Sequence, residues 1–262
     1  MGTESGVASD NAITLKTLDS ALALLRYFDS EHRTWGVREL AKASSMSPSV
    51  VQRMLVTMVQ HGFLTQRGNS RRYALGMVFF EYAQIVREGL HLSELISPVM
   101  RQIATQTGET VFLTVLDGLE AVFVEIAESP QSIKHAINVG TRVPLHAGAF
   151  AKVIMAFLSE EDQGRIVLQG VKRFTEWTIT DAKALSNDLA AIKAKGWNYS
   201  VGEYAEHVFG IAVPVFDSDG KIFGSLCVSG PDFRISDQKV SEILSELEDK
   251  KEQIERAIRQ VY

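Results

Sequence analysis

Residues 37–75 restrict the fold more than any other stretch of this 262-residue chain. Val37, Leu40 and Ala41 mark a short helix, and Ser44-Ser45-Met46-Ser47 then breaks its apolar period. Pro48 suits the first turn of a following helix, where its missing N–H would be unpaired anyway. That helix carries Val51, Met54, Leu55 and Met58 on one face and runs until Gly62, which can supply a left-handed cap. Phe63-Leu64-Thr65 and Arg72-Tyr73-Ala74-Leu75 flank Arg67-Gly68-Asn69-Ser70, a hairpin with turn residues in its middle. Leu18, Ala21, Leu22, Leu25 and Phe28 place one more helix upstream. Three helices, a tight turn and a hairpin describe a winged helix-turn-helix. Small Ala41 lets the paired helices approach, Met46 plugs the turn, and Ser45 stands where many such turns carry Gly.

Charge is divided in the same place. Residues 32–75 hold seven basic side chains (Arg33, Arg38, Lys42, Arg53, Arg67, Arg71, Arg72) against the single acid Glu39, a net of +6. Residues 76–262 hold 18 basic against 26 acidic side chains, so a basic module stands on an acidic body. That asymmetry fits a chain of which one part meets phosphate. The exposed face of the second paired helix is then Ser47, Ser49, Val50, Gln52 and Arg53. Serine hydroxyls at a helix N-terminus suit phosphate, and Gln52 and Arg53 are long enough for base edges in a major groove. Val50 suits a thymine methyl, while Arg71 and Arg72 on the hairpin suit backbone or minor groove. Arg53 has an equal alternative as a brace of the domain. A three-helix protein-interaction module is the competing account of the whole segment.

The remaining chain alternates in character. Residues 1–13 are small and polar, as in a disordered tail. Residues 77–106 are helical in pattern, with Pro98 dividing two segments, and Met77, Phe79, Phe80, Ile85, Val86 and Leu90 give them more apolar surface than a solvated linker needs. Strands are expected at 110–116 and 121–126 around Asp117-Gly118, and at 133–139. Helices are expected at 148–158 and at 181–195, the latter capped by Thr180 or Asp181. Two β-rich runs, 207–216 and 221–229, flank Asp217-Ser218-Asp219-Gly220, and an amphipathic helix closes the chain over 236–262. This is an α+β body of roughly 180 residues. No apolar run approaches the ~20 residues of a membrane helix, and the N-terminus has no secretory pattern. With a single cysteine, the cytoplasm is the expected compartment and no membrane partner is expected.

Four stretches together resemble the IclR-type transcriptional regulators, from about Leu15 to the last helix. They are ALALLRYF (21–28) with VRELAKASSMSPSVVQRMLVTMVQHGFL (37–64) and RRYALG (71–76); TGETVFLTVLDG (107–118); GTRVPLHAGAFAK (140–152); and TITD (178–181) with GIAVPVFDSDGKIFGSLCVSGP (210–231). The resemblance implies a winged helix-turn-helix DNA-binding domain over 14–76, a linker and dimerisation helix over 77–106, and a GAF-like effector-binding domain over 107–262. It implies homodimers, in many members paired into tetramers. Position by position, it puts the effector pocket on His135, Val143, Ala149, Phe150, Ser200, Val208, Gly210, Cys227 and Ser229. Relatives that bind small carboxylates tend to carry an acid where Ser200 stands and a Cys where Gly210 stands, and Phe150 interrupts a usual run of small residues. A pocket that gains an aromatic and loses an acid favours a bulky or aromatic organic acid, with Ser229 and backbone N–H groups near Gly148 as neutral donors to its carboxylate.

The expected function is therefore a DNA-binding regulator, of a catabolic operon by the resemblance, whose affinity for a pseudo-palindromic double-stranded operator is controlled by that effector. A hydrolase on the α+β body is the alternative, but no Gly-x-Ser-x-Gly elbow, phosphate loop or carboxylate cluster occurs. An architectural DNA binder without an effector is a third reading. No catalytic residue, cofactor or metal is expected: His135, His146 and His207 lack metal spacing, and Cys227 sits within an apolar strand run. Glu203 and Glu206 read as surface loop charges.

Overall fold

The computed structural model describes residues 15–259 except 30, 67 and 91, so the expected tail at 1–13 and the side chain of Arg67 lie outside the described residues. The chain divides into two compact units between Val86 and Arg87.

The first unit contains α1 (Lys16–Leu25), β1 (Trp35–Gly36), α2 (Val37–Ala43), α3 (Pro48–Gln60), β2 (Leu64–Gln66) and β3 (Arg72–Leu75). Its core gathers Leu24, Phe28, Leu40, Ala41, Val51, Met54, Leu55, Met58, Leu64 and Tyr73. Both helix ends in the helix-turn-helix close by the same device. After α3, Gly62 sits at φ 75° with its N–H on Val59 O, and Phe63 N–H reaches Met58 O. After α2, Ser45 takes φ 56° with its N–H on Lys42 O, while Met46 N–H reaches Ala41 O. Ser45 therefore accepts a conformation that favours glycine. The hairpin's third strand, β1, pairs Trp35 with Tyr73 and was invisible in so short a segment. α4 (Val78–Leu90) follows, with Met77, Phe80, Ile85 and Val86 exposed.

The second unit comprises α5 (Leu92–Thr107), β4 (Thr110–Asp117), β5 (Glu120–Ala127), β6 (Arg142–Pro144), α6 (Ala149–Ala156), α7 (Glu160–Gln169), α8 (Ala182–Lys195), β7 (Asn198–Val201), β8 (Val208–Phe216), β9 (Ile222–Pro231) and α9 (Asp237–Arg259). One antiparallel sheet, ordered β6-β5-β4-β9-β8-β7, lies between two helical layers. Alternate residues sort between its faces. Val111, Leu113, Ile211, Val213, Leu226 and Val228 join α5 and α9, whereas Phe112, Ala212 and Cys227 join α6 and α8. The fold is α+β, with a winged helix-turn-helix followed by a GAF-like unit.

The structure departs from the expected elements at several points. Pro98 lies inside α5, not between segments: it deletes one helical hydrogen bond, and buried Ile96, Met100, Ile103 and Ala104 hold the helix across it. Residues 133–139 form no strand. The edge of β5 is already taken, since β6 pairs with Glu120, Ala121 and Val122 while Gly140 N–H and Thr141 O bond Phe123. α7 was unforeseen because Ile166 is its single buried residue, although Ser159 accepts from Asp162 N–H and three acids fill its first turn. Asp181, not Thr180, caps α8 by accepting from Ala184 N–H.

Candidate functional site

The N-terminal half of α3 presents Ser47, Ser49, Gln52 and Arg53 to solvent. Val50 is half-buried and packs toward α1 with the core, away from the open face. Gln52 Nε2 donates to the hydroxyl of buried Tyr73 at 3.1 Å, which fixes the amide and leaves Oε1 outward as an acceptor. The Arg53 side chain has no hydrogen bond or ion pair among the described residues, while its carbonyl accepts from Thr57 Oγ1 at 3.0 Å. Its neighbours along the groove are α1 side chains.

The two wing arginines differ. Arg71 is exposed, at φ 51°. Arg72 donates to Thr34 Oγ1 (3.0 Å) and Thr34 O (2.9 Å), and bridges Glu39 through Nη1 (3.0 Å) and Nη2 (2.9 Å). Glu39 also accepts from Gly36 N–H, and Arg72 holds its carboxyl below the ordinary carboxylate range. Arg72 thus braces the wing against α2, with its guanidinium engaged by Thr34 and Glu39. Arg71→Ala is expected to flatten the salt dependence of DNA binding by about one unit of slope, and Arg72→Ala to lower the melting temperature first. Fluorescence anisotropy at graded salt, beside a melting curve for each variant, separates the two; equal slopes would remove the distinction.

In the second unit the sheet register builds a row. Thr110, Ser229, Gly210 and Ser200 stand side by side on β4, β9, β8 and β7, on the face covered by α6. Gly210 is what allows the cover: a Cβ there would stand 3.1 Å from Ala149 Cβ and 3.6 Å from Cys227 Sγ. A small cavity opens against this row. His135, Ala149, Phe150, Ser200, Val208, Gly210 and Ser229 line it together with Gly148, Glu203 and Tyr204. Val143 and Cys227 do not line it; both are fully buried in the core behind it, and burial raises the Cys227 thiol well above its usual range. The Phe150 ring packs 5.1 Å from Phe123 and 5.5 Å from Tyr204, centroid to centroid. The cavity measures about 20 Å³, room for about one water.

The polar groups are more occupied than their types suggest. Ser229 Oγ donates to Phe209 O at 2.6 Å, so its lone pair faces His135 Nδ1 at 2.9 Å and the ring proton lies on Nδ1. Ser229 is therefore no free donor for a carboxylate. Glu203 is not a surface charge: its side chain is 12% exposed, Oε2 accepts from Gly148 N–H at 3.2 Å, and Oε1 meets Lys152 Nζ at 2.6 Å. Lys152 was missed as well. A lysine inside the apolar run AFAKVIMA was the available signal, because a buried ammonium requires an acid partner.

Burial pushes His135 from 6.5 down to about 4. As pH falls through 6.5 the unfolded chain takes up a proton that the native ring refuses until about 4, so this residue costs stability on acidification, on the order of 3 kcal/mol. His135→Asn is expected to remove that component between pH 6.5 and 4. Urea midpoints at graded pH check it, and an unchanged acid limb would refute it.

A winged helix-turn-helix with a polar, exposed recognition helix, followed by a GAF-like unit with a small lined cavity, defines a DNA-binding regulator. Residues 17–68 match the IclR helix-turn-helix domain and residues 84–256 the bacterial transcriptional regulator IclR C-terminal domain. The chain belongs to the IclR family of transcriptional regulators. It is 32% identical to the HTH-type transcriptional regulator KdgR of Escherichia coli (strain K12), over 90% of this chain and 92% of the relative. Identity to KipR of Bacillus subtilis (strain 168) is 30%, over 93% and 97%. Among solved structures, Thermotoga maritima IclR superposes with TM-score 0.70 at 28% identity, over 94% and 99% of the two chains. An IclR homolog from Microbacterium hydrocarbonoxydans, complexed with 4-hydroxybenzoate, superposes with TM-score 0.79 at 24% identity, over 93% and 99%. These relatives are regulators, and the hydrolase alternative is set aside. Among the described residues no helix is long and apolar enough to cross a membrane.

Proposed function

We propose that a homodimer of this chain, working in the cytoplasm, reads a pseudo-palindromic operator with two copies of α3 in major grooves. Binding of a small organic acid in the second unit then changes its operator affinity. One recognition helix covers too few bases for genomic specificity, which is why symmetry doubles it. The exposed apolar side chains at Met77, Phe80, Ile85 and Val86 support residues 77–106 as the dimerisation and coupling element. The observation that carries the effector reading is convergence: residues from five separate segments meet at one site over the Ser229–Gly210–Ser200 row.

The effector carries one anionic head and an apolar or aromatic body. Phe150, Phe123 and Tyr204 supply aromatic neighbours for such a body, and the homolog with 4-hydroxybenzoate is a precedent in the family. The cavity holds no ring as it stands, so the half-buried Tyr204 on its loop must turn aside on binding while Phe150, packed on Phe123, stays as the wall the ligand's ring meets. Calorimetry with 4-hydroxybenzoate and with glyoxylate, beside operator binding with and without each acid, tests the reading. Phe150→Ala is expected to weaken an aromatic acid by about 1–3 kcal/mol. Tighter binding of glyoxylate than of the aromatic acid would overturn the size assignment.

A further inference from the structure

The pocket has almost no free volume, yet it already holds a carboxylate, that of Glu203. Lys152, 1% exposed on α6, grips one of its oxygens and the backbone N–H of Gly148 the other. The same ammonium reaches Asp188 Oδ2 on α8 at 2.7 Å. A buried cation beside a carboxylate-sized recess at the wall of the cavity is a place for an anion, whichever molecule supplies it.

We propose that Glu203 is an internal occupant of the effector's anion position, displaced when an incoming carboxylate takes over Gly148 N–H and the Lys152 ammonium. This rests on the effector pocket described above, and adds which groups recognise the anionic head and what guards them. The exchange is local. Thr175 Oγ1 donates to Gly202 O at 2.6 Å and Thr178 Oγ1 to Glu203 O at 2.8 Å, so the loop backbone is anchored independently of the Glu203 carboxylate. The side chain, at the rim of the site, swings out about its own torsions while the loop stays. Carboxylate replaces carboxylate, and Lys152 never loses its second countercharge. A neutral ligand of the same shape offers no such replacement, so the position selects anions.

The test is a vacancy experiment on the full chain with acetate as the probe and acetamide, of equal size and no charge, as its control. Glu203→Ala opens a recess of carboxylate size, and acetate at constant ionic strength is expected to raise its melting temperature saturably, by roughly 3–6 °C at about ten times the dissociation constant. Wild type is expected to move by under about 1 °C, and acetamide to leave every form unchanged. Glu203→Gln keeps the size but loses the charge and one of the two acceptor oxygens, and its acetate affinity is expected to lie between the other two; this variant decides the matter if the alanine variant does not fold. Equal responses of all forms, or equal responses to acetate and acetamide, would overturn the proposal, leaving Glu203 a purely structural partner of Lys152. Failure here with operator affinity still responding to an organic acid removes the guard and keeps the pocket. Saturable acetate binding to the variants without any change in operator affinity keeps the anion position and removes its regulatory use.

Discussion

Lys152→Met is expected to destabilise the second unit by about 3–5 kcal/mol, because it leaves the Glu203 carboxylate at the wall of the cavity without its buried countercharge. The methionine fills the volume that the lysine stem occupied, so the loss reports charge and not packing. Adding Glu203→Gln in the same chain is expected to recover more than half of that loss, since a neutral amide needs no cation and still accepts from Gly148 N–H. Urea unfolding followed by Trp177 and Trp197, in a Trp35→Phe background, isolates this unit from the first. A Lys152→Met chain within about 1 kcal/mol of wild type would show that Asp188 and Glu203 are solvated despite their burial.

The second large effect lies at the start of β4, beside the Thr110–Ser229 pair. Glu109, 1% exposed, receives Arg234 through Nε at 2.8 Å and Nη2 at 2.6 Å, and Lys239 Nζ at 2.9 Å. This cluster ties the start of β4 to the turn after β9 and to the first turn of α9. Glu109→Ala is expected to cost about 3–5 kcal/mol, and Lys239→Ala considerably less, since the bidentate arginine remains. Gly230→Ala acts on the same cluster from behind: its Cβ would stand 2.1 Å from Glu109 Oε2, so the carboxylate must move off its partners. The same unfolding assay ranks the three. If Lys239→Ala proved as costly as Glu109→Ala, the bidentate pair would not be the main contact.

How far the sequence alone reached is clearest in the first unit. There the signals are local: Pro48 at the first turn of α3, Gly62 at its cap, and the inward face of Val51, Met54, Leu55 and Met58 are all fixed by neighbours within a few residues. The same holds for the β4–β5 and β8–β9 hairpins, whose turns carry Asp-Gly and whose strands alternate between two helical layers. Seven of the pocket's residues followed from resemblance to a family, and not from any spacing in the chain.

Which faces are buried could be read from the residues alone, because burial repeats with the period of the backbone and periodicity is visible in one dimension. Which charges meet emerged with the folded chain. Arg72 and Glu39 are 33 residues apart, Lys152 and Glu203 are 51 apart, and Glu109 and Arg234 are 125 apart. A free Arg72 and one paired with Glu39 look alike in sequence, as do a solvated Glu203 and one bound to Lys152 and Gly148 N–H. An ion pair needs only two side-chain ends within a few ångströms, and loop closure brings them there without leaving a repeating mark on either segment. That is why the reading helix was legible from its own residues, while the bracing of the wing and the carboxylate inside the pocket were not.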